Sequence, residues 1–287
     1  MGILSTIINS QRRLSRAFDS LLPSHFRVDG HLNFRQAFAP PYIRRDVEVW
    51  DVGGGKFPFV DAKTKEILRI HSVGLDISAE ELAAAAPGTY DETFVADITH
   101  FAGRGTADLV ICQAVLEHVR DTAAALRALE TILKPGGLAL LFVPARNSWF
   151  ARLNLLLPEK LRLKLLATFH REWVGGQGFP SYYNRCTAPD FRRMSRGCGL
   201  DVVEERFFHE SGYFSVAFPV HVLWRLWVLL GFRLDRARWA ETFSMALHKP
   251  TSFEAQPVVS EDPAELQYLP DGFGVDPHIS TSETVCD

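Results

Sequence analysis

Three aspartates each close a short β-prone run in this chain: Asp51 after Glu48-Val49-Trp50, Asp76 after Val73-Gly74-Leu75, and Asp97 after Phe94-Val95-Ala96. Directly beyond the first stand Gly53, Gly54 and Gly55. Consecutive glycines let the backbone turn sharply and let a ligand approach with no Cβ in the way. A strand, a glycine turn and then a helix is how α/β proteins build a nucleotide site. Asp76 lies 21 residues beyond Gly55, the offset at which doubly wound folds place a ribose-binding carboxylate. The dinucleotide pattern G-x-G-x-x-G is not met, because Pro58 takes its sixth position.

These residues need strands and helices in alternation to hold them, and the pattern supplies them. Residues 59–70 read as a helix, residues 71–77 as a second strand, and Ser78 with Glu81 as a capping box for the next helix. Residues 94–98 form a third short strand, and residues 107–112 a fourth. The helix over Thr122 to Leu133 is stopped by Lys134-Pro135-Gly136-Gly137. Leu138 to Val143 is a continuous apolar run, as befits a buried parallel strand.

At 287 residues and 47% hydrophobic, the chain supports one large domain with an insertion or a small appendage. The net charge of -3 conceals an asymmetry. The stretch after Lys249 holds eight of the 34 acidic residues and none of the 31 basic ones. The mildly basic body lacks the clustered stripe of a nucleic-acid protein. Cys112, Cys186, Cys198 and Cys286 form no C-x-x-C pair, which points to a reducing, cytoplasmic compartment with neither a metal site nor a disulfide framework.

Taken in order, DVGGGK (51–56), VGLDIS (73–78), VADIT (95–99), ADLVICQAVLEHV (107–119) and LKPGGLALLFVP (133–144) resemble the class I S-adenosylmethionine-dependent methyltransferases. The similarity is to the small-molecule branch related to quinone biosynthesis. It is strong over residues 47–145 and resumes over 187–205 and 242–248. It implies a seven-stranded, mostly parallel, doubly wound Rossmann-like sheet over residues 47–250, with helical lid insertions near 146–186 and 210–240. Residues 1–46 would form an N-terminal helix and lead-in. The family's motif is Asp/Glu-x-Gly-x-Gly-x-Gly, whereas this chain has Phe57 in place of the last glycine.

The resemblance implies S-adenosylmethionine as cofactor and assigns its contacts. Gly53 and Gly55 would run against the methionine part, and Asp51 would face its ammonium directly or through water. Asp76, with Ile77 beside it, would accept from both ribose hydroxyls. Asp97 would accept from the adenine amino group, with Ile98 beside the ring. Gln113 would lie near the sulfonium. A hydroxyl acceptor benefits from a base. His118 is one candidate, unless it merely packs or caps its helical turn. His170 is another, among Glu172, Tyr182 and Tyr183, whose polarity also suits an ordinary loop. Ala39-Pro40-Pro41-Tyr42 is similar to the Asn/Asp-Pro-Pro-Tyr motif of amino-group methyltransferases. It lacks the polar first residue and lies before the glycine turn, so it reads as a stiffened loop.

Two apolar stretches exceed the minimal fold: residues 146–173 and residues 212–232. The second is long enough to span a bilayer, but Pro219, His221 and Arg225 interrupt it between two strands of one sheet. Both suit either helices that bury their leucines over the active site or a membrane-surface contact. In residues 1–22 the arginines follow the apolar run, against the order of a secretory signal. Residues 251–287 read as an acidic disordered tail. The expected activity is methyl transfer, at oxygen, to a small or lipid-linked acceptor, peripherally at a membrane and without nucleic acid. The alternatives are a protein or nucleic-acid methyltransferase, and a non-catalytic cofactor-binding protein.

Overall fold

In the computed structural model, which describes residues 3–158, 161 and 179–251, the run around Trp50 is a strand, β1 (Glu48–Val52). It lies parallel between β2 (His71–Asp76) and β4 (Ala107–Gln113). β3 (Glu92–Val95) pairs in parallel with β2, and β5 (Leu133–Pro144) with β4. β7 (Thr242–His248) runs antiparallel between β5 and β6 (Asp201–Phe208). The order β3-β2-β1-β4-β5-β7-β6 reverses direction between β1 and β4. At such a switch point an α/β sheet opens a crevice beyond the carboxyl ends of its strands.

Strand alternation sends side chains to two cores. Trp50, Val52, Val110, Cys112, Leu141 and Val143 meet helices α5 (Thr122–Ile132) and α7 (Ala188–Gly197). Val49, Leu109, Ile111, Leu140 and Phe142 meet Phe34, Phe38 and Ala39. The stretch expected to be irregular thus covers the sheet's second face. There α2 (Gly30–Asn33) runs into a wide turn, Phe34–Phe38, and a tight one, Pro40–Tyr42.

Polar side chains set the helix starts. α3 (Ala62–Leu68) begins later than periodicity suggests, because Asp61 caps it by accepting from the Thr64 N–H. In α4 (Ala79–Ala83), Ser78 accepts from the Glu81 N–H at 3.2 Å, one half of the expected capping box; the Ser78 N–H bonds Asp76 and the Glu81 carboxylate pairs with Lys56 instead. Ser148 likewise caps α6 (Trp149–Leu156), the one described helix of the insertion after β5.

The stretch after β6 forms α8 (Phe218–Leu234), whose leucines face outward and not into the domain. Leu223, Leu226, Leu230 and Leu234 stand 54–70% exposed along one stripe, while His221 and Arg225 are 1% exposed. The cause is the partner helix α1 (Ile3–Ser20), whose inner face is polar at every fourth position. Gln11 Oε1 accepts from the Phe218 N–H at 2.9 Å, and Ser15 Oγ donates to the Ser215 carbonyl at 3.0 Å. Asp19 Oδ1 accepts from His221 Nε2 at 2.9 Å and from Arg225 Nε at 2.7 Å. Arg225 Nη1 also donates to the Phe26 and His209 carbonyls. A buried guanidinium is tolerable only with such partners. Trp224 is fully buried, with its Nε1 donating to Glu241. Among the described residues no helix is long and apolar enough to cross a membrane.

Candidate active site

The glycine turn leaves β1 and doubles back beside β2. Gly53 and Gly55 have φ of 75° and 46°, the left-handed region that glycine enters without steric cost. A Cβ at Gly53 would come within 2.2 Å of Val115, so only glycine lets the turn lie flat against the segment after β4. Phe57, where the family motif has glycine, is 72% exposed on the rim and needs no positive φ. It does not fill the turn.

Beside this turn opens a cleft of about 630 Å³, within the size range of small-molecule sites. Its wall runs from Gly53, Gly54 and Gly55 to Asp76 and Ile77 at the end of β2, then to Asp97 and Ile98, and across to His118 and Tyr182. Asp76 Oδ1 accepts from the Ser78 N–H at 2.9 Å, while a Cβ on Gly55 would meet Oδ2 at 3.2 Å, so Oδ2 faces the turn. Burial raises the Asp76 pKa, and Glu81 nearby adds to the shift. Asp97 caps the turn Ile98–His100: its Oδ1 accepts from the Thr99 N–H and hydroxyl, and these bonds with His100 hold its pKa down despite partial burial. Ile77 is exposed and Ile98 buried, the two forming an apolar flank on the cleft.

Of the residues that the resemblance assigns to the cofactor, Asp51 and Gln113 stand back from this wall, and neither lines the cleft. Asp51 is buried beneath Gly54, where a Cβ on the glycine would strike its carboxylate at 2.4 Å. Its Oδ2 accepts from the Phe59 N–H at 2.6 Å and the Tyr90 hydroxyl at 3.4 Å. Desolvation pushes its pKa to about 6 against those bonds. Asp51 therefore braces the glycine turn from behind. Gln113 Oε1 accepts from Arg35 Nη1 at 2.9 Å, which turns its carboxamide toward the lead-in. Arg35 also spans the Pro58 and Phe59 carbonyls and stacks on the Phe59 ring at 4.6 Å. Arg35 is a site-building residue that no motif in the sequence marks.

His118 does reach the cleft wall. Its Nδ1 lies 3.0 Å from the Pro180 carbonyl, which can only accept, so Nδ1 carries the proton and Nε2 is the basic nitrogen. Nε2 stands 3.7 Å from Glu117 Oε1. Glu117 is 4% exposed, Oε2 has no partner among the described residues, and burial drives its pKa to about 8. Its backbone carbonyl accepts from the Tyr182 and Tyr183 N–H groups, tying that segment to the cleft. Nothing in the sequence marks Glu117, since an acidic residue beside His118 looks like ordinary solvent-facing polarity. Tyr183 is buried, and only Tyr182 lines the cleft. His170 and Glu172 lie outside the described residues.

The arrangement offers a flat backbone surface, a carboxylate acceptor at a strand end, an apolar flank and, across from them, an imidazole with a defined tautomer. That set suits a nucleoside-bearing ligand next to a second molecule that must lose a proton. A family model described as a methyltransferase domain matches residues 13–205. Among curated proteins, the ubiquinone biosynthesis O-methyltransferase of Cupriavidus pinatubonensis is 27% identical over 154 residues, which is 51% of this chain and 52% of that one. That of Paraburkholderia xenovorans is 30% identical over 102 residues, covering 33% and 42%. The chain spans about half the length of the curated relatives it matches. A solved S-adenosylmethionine dependent methyltransferase from Mesorhizobium loti is 16% identical with a TM-score of 0.49, over 78% of this chain and 99% of that one.

Proposed function

This chain belongs to the methyltransferase-domain family, and from that premise we propose that it is an S-adenosylmethionine-dependent enzyme methylating a hydroxyl of a small or lipid-linked acceptor. The observation that carries the reading is the convergence of the glycine turn, Asp76 and the Ile77–Ile98 flank on one cleft with His118 opposite. When bound, S-adenosylmethionine supplies a sulfonium methyl, an electrophile whose thioether leaves without acid assistance.

The chain's own residues divide the rest. Gly53 to Gly55 give the cofactor's amino-acid end a surface free of side chains. Asp76 Oδ2 takes the ribose hydroxyls, Asp97 the adenine amino group and Ile98 the ring face. Asp51, one glycine away, keeps the turn in shape. His118 Nε2 accepts the acceptor's hydroxyl proton, beside the Glu117 carboxyl at 3.7 Å, which burial keeps protonated at neutral pH. Alignment and exclusion of water do the remainder, since in-line displacement needs little else. The names of the curated relatives support oxygen as the accepting atom.

The outward leucines of α8 support work at a membrane surface, since an exposed apolar patch of that extent calls for a partner. A lipid-linked acceptor would reach the enzyme there. The first test is calorimetry with S-adenosylmethionine. Wild type should bind, and Asp76→Ala should bind roughly 30-fold or more weakly, because two hydrogen bonds to a charged acceptor are lost. Equal affinity in the variant would remove Asp76 from the site, and no binding in wild type would remove the cofactor assignment.

A further inference from the structure

A second hollow, about 350 Å³, lies away from the cleft where α6 meets the end of α8. Six residues line it: Asn147, Arg152, Leu234, Asp235, Arg238 and Trp239. Two of its side-chain polar atoms are already engaged. Asn147 Nδ2 donates to the Arg238 carbonyl at 3.1 Å, and Asp235 Oδ1 accepts from the Ala237 and Arg238 N–H groups at 3.0 Å each. The two guanidinium groups are not. Neither Arg152 nor Arg238 makes an ion pair or side-chain hydrogen bond among the described residues, although Arg152 lies within electrostatic reach of buried Glu241.

The apolar wall is fixed. Trp239 packs so close under α8 that a Cβ on Gly231 would strike its ring at 2.3 Å, and Trp227 lies 4.7 Å from it. Leu234, 70% exposed, belongs both to the hollow and to the leucine stripe of α8. A cationic hollow therefore opens at the end of an apolar stripe about three turns long. No acidic residue lies on α8, and the one on α1, Asp19, points inward at Arg225. The outward charge along this pair of helices is positive.

We propose that this hollow binds the phosphate of an anionic phospholipid headgroup, with Arg152 and Arg238 as its ligands, while the α8 stripe lies against the acyl chains. Two guanidinium groups suit a phosphate's oxygens, and an indole beside them suits the headgroup level of a bilayer. The assignment rests on the membrane-surface reading given above and adds the lipid class and the residues that select it.

The test is flotation of the full chain with phosphatidylglycerol-containing vesicles and with pure phosphatidylcholine vesicles. Wild type should prefer the anionic vesicles. Arg152→Gln with Arg238→Gln should bind them about tenfold to thirtyfold more weakly and lose that preference. Leu226→Ser with Leu230→Ser should release both kinds of vesicle. All four side chains are exposed, so S-adenosylmethionine calorimetry on each variant serves as the check of folding. If the arginine variant floats like wild type, the headgroup site is overturned while the membrane reading stands. If wild type floats with neither vesicle, both fall. Calorimetry with inorganic phosphate separates the two sources of the same chemistry: tight binding of free phosphate without flotation would make this a soluble-anion site and overturn the lipid assignment. A sedimenting dimer that the leucine variant converts to monomer, with no vesicle binding, would give the stripe to a second copy instead.

Discussion

Glu117 is the residue whose environment is most at odds with its chemistry. A carboxyl with one oxygen lacking a partner in the interior resists ionisation, and its pKa stands at about 8 against an ordinary 4.5. The fold therefore holds this proton more tightly than the unfolded chain does. A raised pKa contributes stability that is fully present below about pH 4.5 and is lost as pH rises through about 8. Glu117→Gln should remove that slope. In thermal melts from pH 5 to 8.5 the wild type should lose up to a few kcal/mol relative to the variant, at no more than about 1.4 kcal/mol for each pH step of one. Parallel curves would mean the carboxyl is not buried as described. Asp51, raised to about 6 for the same reason, adds a smaller slope in the lower part of that window. Asp76 can be read in the sequence because its spacing from the glycine turn is a backbone property, and Asp97 because it closes a short β-prone run. Glu117, Arg35 and the inward turn of Asp51 cannot, because each depends on which side chain fills a space set by a segment distant in sequence.

Helix α8 carries the lesson at the scale of elements. Its composition suits a cap or a membrane contact, and periodicity cannot choose between burying leucines in protein or in lipid. The rotation of the helix is fixed by Gln11, Ser15 and Asp19 on α1, which claim the polar side of α8 for the interior and leave its leucines outward. The two sides should therefore respond oppositely to substitution. Trp224→Ser empties a fully buried site and strands the Glu241 carboxyl, at a cost of about 3–5 kcal/mol. Leu226→Ser, on the exposed stripe, should change stability by less than about 0.5 kcal/mol. Asp19→Ala leaves Arg225 without its carboxylate and should cost about 3 kcal/mol. Urea denaturation of the three variants measures all of this. A larger loss in Leu226→Ser than in Trp224→Ser would reverse the assignment of faces.

Across the whole molecule, the first five strands can be read from short apolar runs between capped helices, each a local signal, whereas the seven-stranded sheet is implied only by the family resemblance. The covering of the sheet's second face by Phe34 and Phe38 cannot be read there, since a wide turn leaves no periodic trace. Because the cleft is assembled from the ends of β1, β2 and β4 together, ligand and fold are linked. S-adenosylmethionine at a hundred times its dissociation constant should stabilise the wild type by about 2.7 kcal/mol. A thermal shift assay should register this, and Asp76→Ala, binding about 30-fold more weakly, should gain no more than about 0.9 kcal/mol at the same concentration.

The ladder between α1 and α8 also sets an order of events in time. Ser15 bonds to Ser215, and Asp19 to residues more than 200 positions later. A ribosome adding about 5–20 residues per second delivers those partners roughly 10–40 s after α1 has emerged. Until then Phe18 lacks the Phe218 and His221 rings that it meets in the finished fold. Helix α1 is thus made long before the helix it docks on, and the ladder between them can close only after the rest of the sheet but β7 has been synthesised.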